Sequence, residues 1–180
     1  MIKRAPPPAR SAVLEHHGDA ARRHQLAATH HHEAARHFQI GKDYDHAAHR
    51  ASLAHGHALL AIDMGSKAVD YYRRHHDDLA KVGAGPITRA SVEAVEAAGA
   101  LRSGLGVSAH HDRAAFHHER AASLHLQAME SCDASDFALA LSDTGSACTE
   151  AQCALFHGDE AAKRHAAAPA RPPGESSETV

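Results

Sequence analysis

Tryptophan is absent, and four Phe and three Tyr are the only aromatics, 4% of 180 residues. With β-branched residues also scarce, that excludes a large aromatic core and a β-sandwich, because strands favour both classes. The three cysteines (Cys132, Cys148, Cys153) are an odd number with no CxxC spacing, so neither a zinc ribbon nor a disulfide framework is built from them. On a helix, Cys148 and Cys153 lie about 140° apart around the axis and read as small buried hydrophobes. No run approaches the roughly 20 apolar residues of a membrane span. The opening MIKRAPPPAR has no apolar stretch of the signal-peptide kind. Charge is balanced too, 19 Lys and Arg against 22 Asp and Glu, whereas phosphate-binding domains carry a clustered basic excess. The expectation is a reduced, soluble, cytoplasmic protein with no nucleic acid and no membrane as partner.

What is present is alanine and histidine, 41 and 20 residues, about a third of the chain. Alanine is the best helix former, so the expected fold class is all-α with close, small-residue packing. Twenty imidazoles with an ordinary pKa of about 6.5 make the net charge, formally −3 with histidine neutral, steeply dependent on pH near neutrality.

Proline and glycine punctuate the chain. Residues 1–10 read as a disordered Pro-rich arm, 11–168 as one helical bundle domain, and 169–180 as a disordered polar tail. A first helix is expected from Ser11, as N-cap, to Gln39, ending near Gly41. A second starts near Asp43 and runs at least to Met64, with helical composition continuing to Val82. A short bridging helix follows Thr88, and two more cover about 109–131 and 136–168. Tyr71-Tyr72-Arg73-Arg74 reads as a snorkelling amphipathic turn.

The chain also matches itself. His16–His31 (HHGDAARRHQLAATHH) and His110–His125 (HHDRAAFHHERAASLH) agree at eight of sixteen positions. After a one-residue gap the match continues: Asp43, Ala47, Ala54, Ala58, Ala61, Gly65 and Ala68 align with Asp136, Ala140, Ala147, Ala151, Ala154, Gly158 and Ala161. Two copies of one helical hairpin, about 15–72 and 109–165, account for this pattern. One hairpin cannot bury its apolar face alone, so the copies are expected to pack as a four-helix bundle of two antiparallel hairpins.

In the first hairpin Ala34, Ala35, Phe38, Tyr44, Ala47, Ala51 and Ala54 fall at the spacing of the small and aromatic positions of tetratricopeptide repeats. In that respect the hairpin resembles the family, although His31 stands where its opening aromatic belongs and Thr144 replaces a small or aromatic residue in the second copy. What the resemblance implies is a helical-hairpin scaffold that binds a protein partner.

The histidines carry the chemistry. Ala20, Ala21, Ala27, Ala28, Ala34 and Ala35 form a core stripe with a seven-residue period, and His17, His24 and His31 occupy its gaps. The second copy repeats this with Ala114, Ala115, Ala121, Ala122 and Ala128 around His111, His118 and His125. The stripe that faces a partner helix is where apolar residues belong, and here it carries imidazoles. Neutral imidazole ligates Zn, Ni and Cu, so facing ladders are candidate layered metal sites. Residues seven apart are about 10.5 Å apart along a helix, so each ion needs one imidazole from each copy and a third ligand from elsewhere. His46, His49, His55 and His57 are the candidates for that third ligand; of their counterparts Leu139, Ser142, Cys148 and Glu150, only the last two can coordinate metal.

Against a dedicated metal site, no two histidines are spaced i, i+4, only His46 and His49 are spaced i, i+3, and both HExxH and a Glu-x-x-His pattern are absent. The alternative is a core imidazole hydrogen-bonded to its opposite number, fixing register. His30, His32, His37, His75, His76, His157 and His165 read as solvated. No phosphate loop, nucleophile elbow or paired carboxylates appear, so no enzyme is expected. Two readings stand: a bundle that binds or buffers a divalent transition metal (Zn, Ni or Cu) through His17, His24, His31, His111, His118 and His125, and a non-enzymatic interaction scaffold, for a protein partner or self-association, with pH-sensitive histidine pairing.

Overall fold

The computed structural model describes residues 8–41, 43–75 and 104–167. Among them are four helices and no strand: α1 (Pro8–Ile40), α2 (Tyr44–His75), α3 (Val107–Asp133) and α4 (Phe137–Ala167). The described residues are all-α, the class the composition predicts. The bridging helix after Thr88, the continuation of α2 to Val82 and the tail 169–180 lie outside the described residues. Helix α1 starts at Pro8, three residues before the expected N-cap Ser11. Proline suits a helix's first turn, where its missing N–H leaves no bond unmade. Arg10 then reaches across to the backbone carbonyls of Cys132 and Asp133 at the end of α3.

The two hairpin turns share one left-handed position, and the first, one residue longer between the matched positions, adds a second at Asp43, φ +60°. Gly41 takes a left-handed φ of +68°, and its N–H bonds the Phe38 carbonyl. Ser135, at the matching position, adopts φ +66° without being glycine. Asp43 and Asp136 then start the next helices. Each side-chain carboxylate accepts a backbone N–H three residues on, from His46 at 3.2 Å and Leu139 at 3.0 Å, the N-cap role the shared aspartate suggests.

Helix α1 packs on α2, α3 packs on α4, and the hairpins meet mainly along α1 and α3, with lighter contact between α2 and α4. The seams are lined by alanine. Ala20, Ala21, Ala27, Ala28, Ala34 and Ala35 are buried on α1, and Ala114, Ala115, Ala121, Ala122 and Ala128 on α3. Each contributes only one methyl group, about 0.8 kcal/mol of burial. Close backbone approach therefore replaces bulky interdigitation, and most of the largest fully buried side chains are histidines, with Tyr72 beside them.

Candidate functional site

His17, His24, His31, His111, His118 and His125 all point inward and are at most 3% exposed. They pair across the α1–α3 seam through their Nδ1 atoms: His17 with His125 at 3.2 Å, His24 with His118 at 3.1 Å, and His31 with His111 at 3.1 Å. The pairing is antiparallel, so the first imidazole of one helix meets the last of the other. Under the internal match the outer pairs exchange with each other, and His24–His118 sits at the centre.

The pairs stack into a column. His24 lies over His125 (centroids 5.7 Å, planes 14° apart) and His31 over His118 (5.6 Å, 13°). Tyr72 closes one end against His17 at 5.9 Å, and Phe38 lies against His111 at 5.4 Å at the other. A bond between two Nδ1 atoms needs one hydrogen between them, so the rings of a neutral pair are opposite tautomers. His17 Nε2 has a further partner, the Tyr72 hydroxyl at 2.8 Å. In the central pair, Nε2 of His24 and of His118 are both buried without a hydrogen-bond partner.

Burial makes the charged imidazole expensive. It holds His17, His31 and His125 down to about 3 and His24 and His111 to about 4, with neighbouring imidazoles adding to the effect for all but His24. His118 is lowered well below its ordinary value by burial and by His24 and His31. At neutral pH the column is uncharged, the state in which imidazole is both a pairing group and a metal ligand.

The internal glycines explain how the outer helices close on the column. A Cβ on Gly65 of α2 would lie 3.2 Å from His125 Cε1 and 3.4 Å from both His125 Nε2 and Cys148 Sγ. On Gly158 of α4 it would lie 3.3 Å from His31 Cε1. Each hairpin's second helix thus leans on the last ladder imidazole of the other hairpin's first helix.

Of the third-ligand candidates, only His55 reaches the column's surroundings. His46 bonds Arg50 and lies beside His37, His49 is exposed, and His57 stacks on His30. Among the described residues, no three His, Cys, Asp or Glu side chains converge at metal-binding distance. Beside His31, His111 and Phe38, a cavity of about 370 Å³ opens between α2 and α4. His55, Asp159 and His165 stand in its wall, with His55 Nδ1 4.0 Å from Asp159 Oδ1.

Two expectations are corrected. Tyr72 is fully buried instead of snorkelling, because its hydroxyl has His17 to bond. His157 is 2% exposed rather than solvated. It lies in the buried run Cys153–His157, and its Nδ1 is 3.0 Å from Nδ1 of His110 on α3. His157 also stacks on His117, whose Nδ1 bonds Glu150 at 2.7 Å, while Arg120 holds the other oxygen of that carboxylate at 3.0 Å. His110 and His117 were not singled out by the sequence, although each immediately precedes a ladder histidine and so widens the inward stripe. Of the other histidines read as solvated, His32 and His75 are exposed, His30, His37 and His165 are half-buried, and His76 lies outside the described residues. Cys153 is buried as expected, and Cys148 is only partly so.

Among the described residues no helix is long and apolar enough to cross a membrane. Comparison with known proteins adds no relative: no family model, no curated protein and no solved structure matches the chain.

Proposed function

We propose that this chain is a non-enzymatic bundle that binds a divalent transition metal ion (Zn, Ni or Cu) through its buried imidazoles, in a reducing, cytoplasmic setting. The observation that carries the reading is the spacing of the pairs. Nδ1 atoms 3.1–3.2 Å apart are close to the edge of about 3.3–3.4 Å set by two Zn–N bonds of about 2.0–2.1 Å in a tetrahedron. A metal ion takes the place of the shared hydrogen when that hydrogen moves to Nε2 of the same ring, which leaves both rings neutral and both Nδ1 lone pairs facing the ion. Nitrogen donors of this kind favour Zn, Ni and Cu over Ca or Mg.

The test is calorimetric titration of the metal-free full chain with Zn(II), Ni(II) and Cu(II) at pH 7.5, alongside its melting temperature. At least one tight equivalent and a higher melting temperature with metal are expected, since a ligand that binds only the folded state stabilises it. Flat titrations and unchanged melting with all three metals refute the reading.

A second reading is favoured by the fact that each pair is already a complete hydrogen bond. The column then serves as a register-setting clasp in an interaction scaffold, the role the tetratricopeptide resemblance implies. Replacing the six column histidines by Gln separates the two: metal uptake vanishes under the first reading, and partner binding above pH 7 survives under the second.

A further inference from the structure

The two ends of the column can be compared position by position through the internal match. At the filled end, over His17–His125, Tyr72 clusters with Cys132 and Leu141, and Thr144 is fully buried. At the open end, over His31–His111, the matching positions are His165, Phe38, Ala48 and Ala51, and they line the cavity of about 370 Å³. Smaller side chains on the second helices open this end, and a ring hydroxyl is lost with them. At the filled end the Tyr72 hydroxyl bonds His17 Nε2 at 2.8 Å. Among the described residues no such bond joins His165 to His111, whose hydrogen bond is the one through Nδ1 to His31.

We propose that the cavity binds one small neutral phenol, a single aromatic ring bearing a hydroxyl, which does at the open end what Tyr72 does at the filled one. The polar contact comes from the column. His31 and His111 are 3% and 1% exposed, and both line the cavity. One hydrogen shared between their Nδ1 atoms makes them opposite tautomers, so one Nε2 donates and the other accepts. A hydroxyl does both and therefore suits either nitrogen. The apolar contact comes from Phe38, Ala48, Ala51 and Leu155, which present carbon to a ring. A cavity of about 150 Å³ holds benzene, so one of about 370 Å³ admits a ring with substituents. Burial leaves both column imidazoles uncharged at neutral pH, and the Asp159 carboxylate in the wall repels an anion, so the site favours a neutral ligand. No metal ion is needed for this binding.

The experiment titrates the full chain, with a chelator present at pH 7.5, with 4-methylphenol, the side chain of tyrosine. Calorimetry is expected to show one saturable equivalent. Nuclear magnetic resonance of the imidazole nitrogens should show His31 or His111 shifted while His17 and His125 stay put. Toluene, the same ring without the hydroxyl, should bind about tenfold more weakly, the worth of about one hydrogen bond. The anion 4-methylbenzoate should also bind at least about tenfold more weakly than the phenol. His165→Tyr restores the counterpart of Tyr72, and Ala48→Leu with Ala51→Thr copies the rest of the filled end; each should abolish the binding. His165→Tyr alters one half-buried side chain, and its melting temperature reports that the bundle is intact. No saturable uptake by the wild type, uptake that survives both variants, or equal affinity for toluene each overturns the proposal. None of these outcomes bears on metal binding by the column.

Discussion

The filled and open ends of the column are built on the same framework: the same antiparallel pair of imidazoles, the same alanine seam, a glycine in the helix that leans on it. They differ in side chains of the second helices, Leu141 and Thr144 against Ala48 and Ala51, and Tyr72 against His165. One end is a small hydrophobic cluster with Tyr72 bonded to His17; the other borders a cavity. The pairs themselves are indifferent to this, since both are spaced at 3.1–3.2 Å. The seam thus fixes the column, and the outer helices decide whether an end is sealed. That division of labour can be attacked from the seam or from the ends.

Acid attacks the seam and has the largest expected effect. Burial holds the six column imidazoles well below 6.5, His17, His31 and His125 at about 3 and His24 and His111 at about 4. Between those values and 6.5 the unfolded chain binds more protons than the native one, so stability rises with pH. The contribution is whole above 6.5 and is lost as pH falls toward the folded values. Six rings lose stability together in that window, and a total stability of about 5–15 kcal/mol does not withstand several such losses at once. Cooperative unfolding between about pH 5 and 6 is expected by circular dichroism. A bundle still folded at pH 4 would mean that the rings protonate in place and that the seam is not what holds the halves together.

Much of this seam was legible in the sequence, and the reasons are local. A heptad stripe of alanines with histidine in its gaps predicts an inward face for both, and Asp43 and Asp136 announce the second helix of each hairpin. The pairing order was not legible, because which imidazole meets which depends on the direction in which α1 and α3 cross, a property of no single segment. Ser135 gives no sign of its left-handed backbone. Tyr72 and His157 were not legible, because a tyrosine near arginines and an isolated histidine read as solvent-bound, and only the fold supplies the buried partner of each, His17 and His110. The cavity depends on Ala48 and Ala51 being small where Leu141 and Thr144 are not, which reads as ordinary helix composition.

Substitution at Tyr72 and His165 sharpens the contrast between the ends, with a medium effect. Tyr72→Phe removes the hydroxyl that His17 Nε2 bonds at 2.8 Å inside the core. Leaving that nitrogen unsatisfied should destabilise the protein by about 1–3 kcal/mol in urea unfolding. His165→Phe, at the matching place on the half-buried cavity side, keeps a ring against Phe38 and Tyr44 and should change stability by less than about 0.5 kcal/mol. Equal losses at both positions would mean that the open end is sealed by contacts as specific as those of the filled end.

The smallest effect tests the same contrast at the glycines. Alanine in place of a helical glycine gains about 1 kcal/mol of propensity, so the sign of each change depends on what the new methyl meets. At Gly65 it meets His125 at 3.2 Å and Cys148 at 3.4 Å. His125 is 1% exposed, bonded to His17 and stacked on His24, so its ring has nowhere to go. Overpacking of about 1–3 kcal/mol then outweighs the propensity, and Gly65→Ala should lower stability by about 1 kcal/mol net. At Gly158 the methyl meets only His31, at 3.3 Å; His31 is likewise bonded to His111 and stacked on His118, but it borders the cavity, which lets it give way by a few tenths of an ångström. Gly158→Ala should therefore be neutral or slightly stabilising in the same urea experiment. Opposite signs, or near-zero against a loss, follow only if the cavity gives the open end real slack; losses of equal size at both glycines would show the two ends to be equally tight.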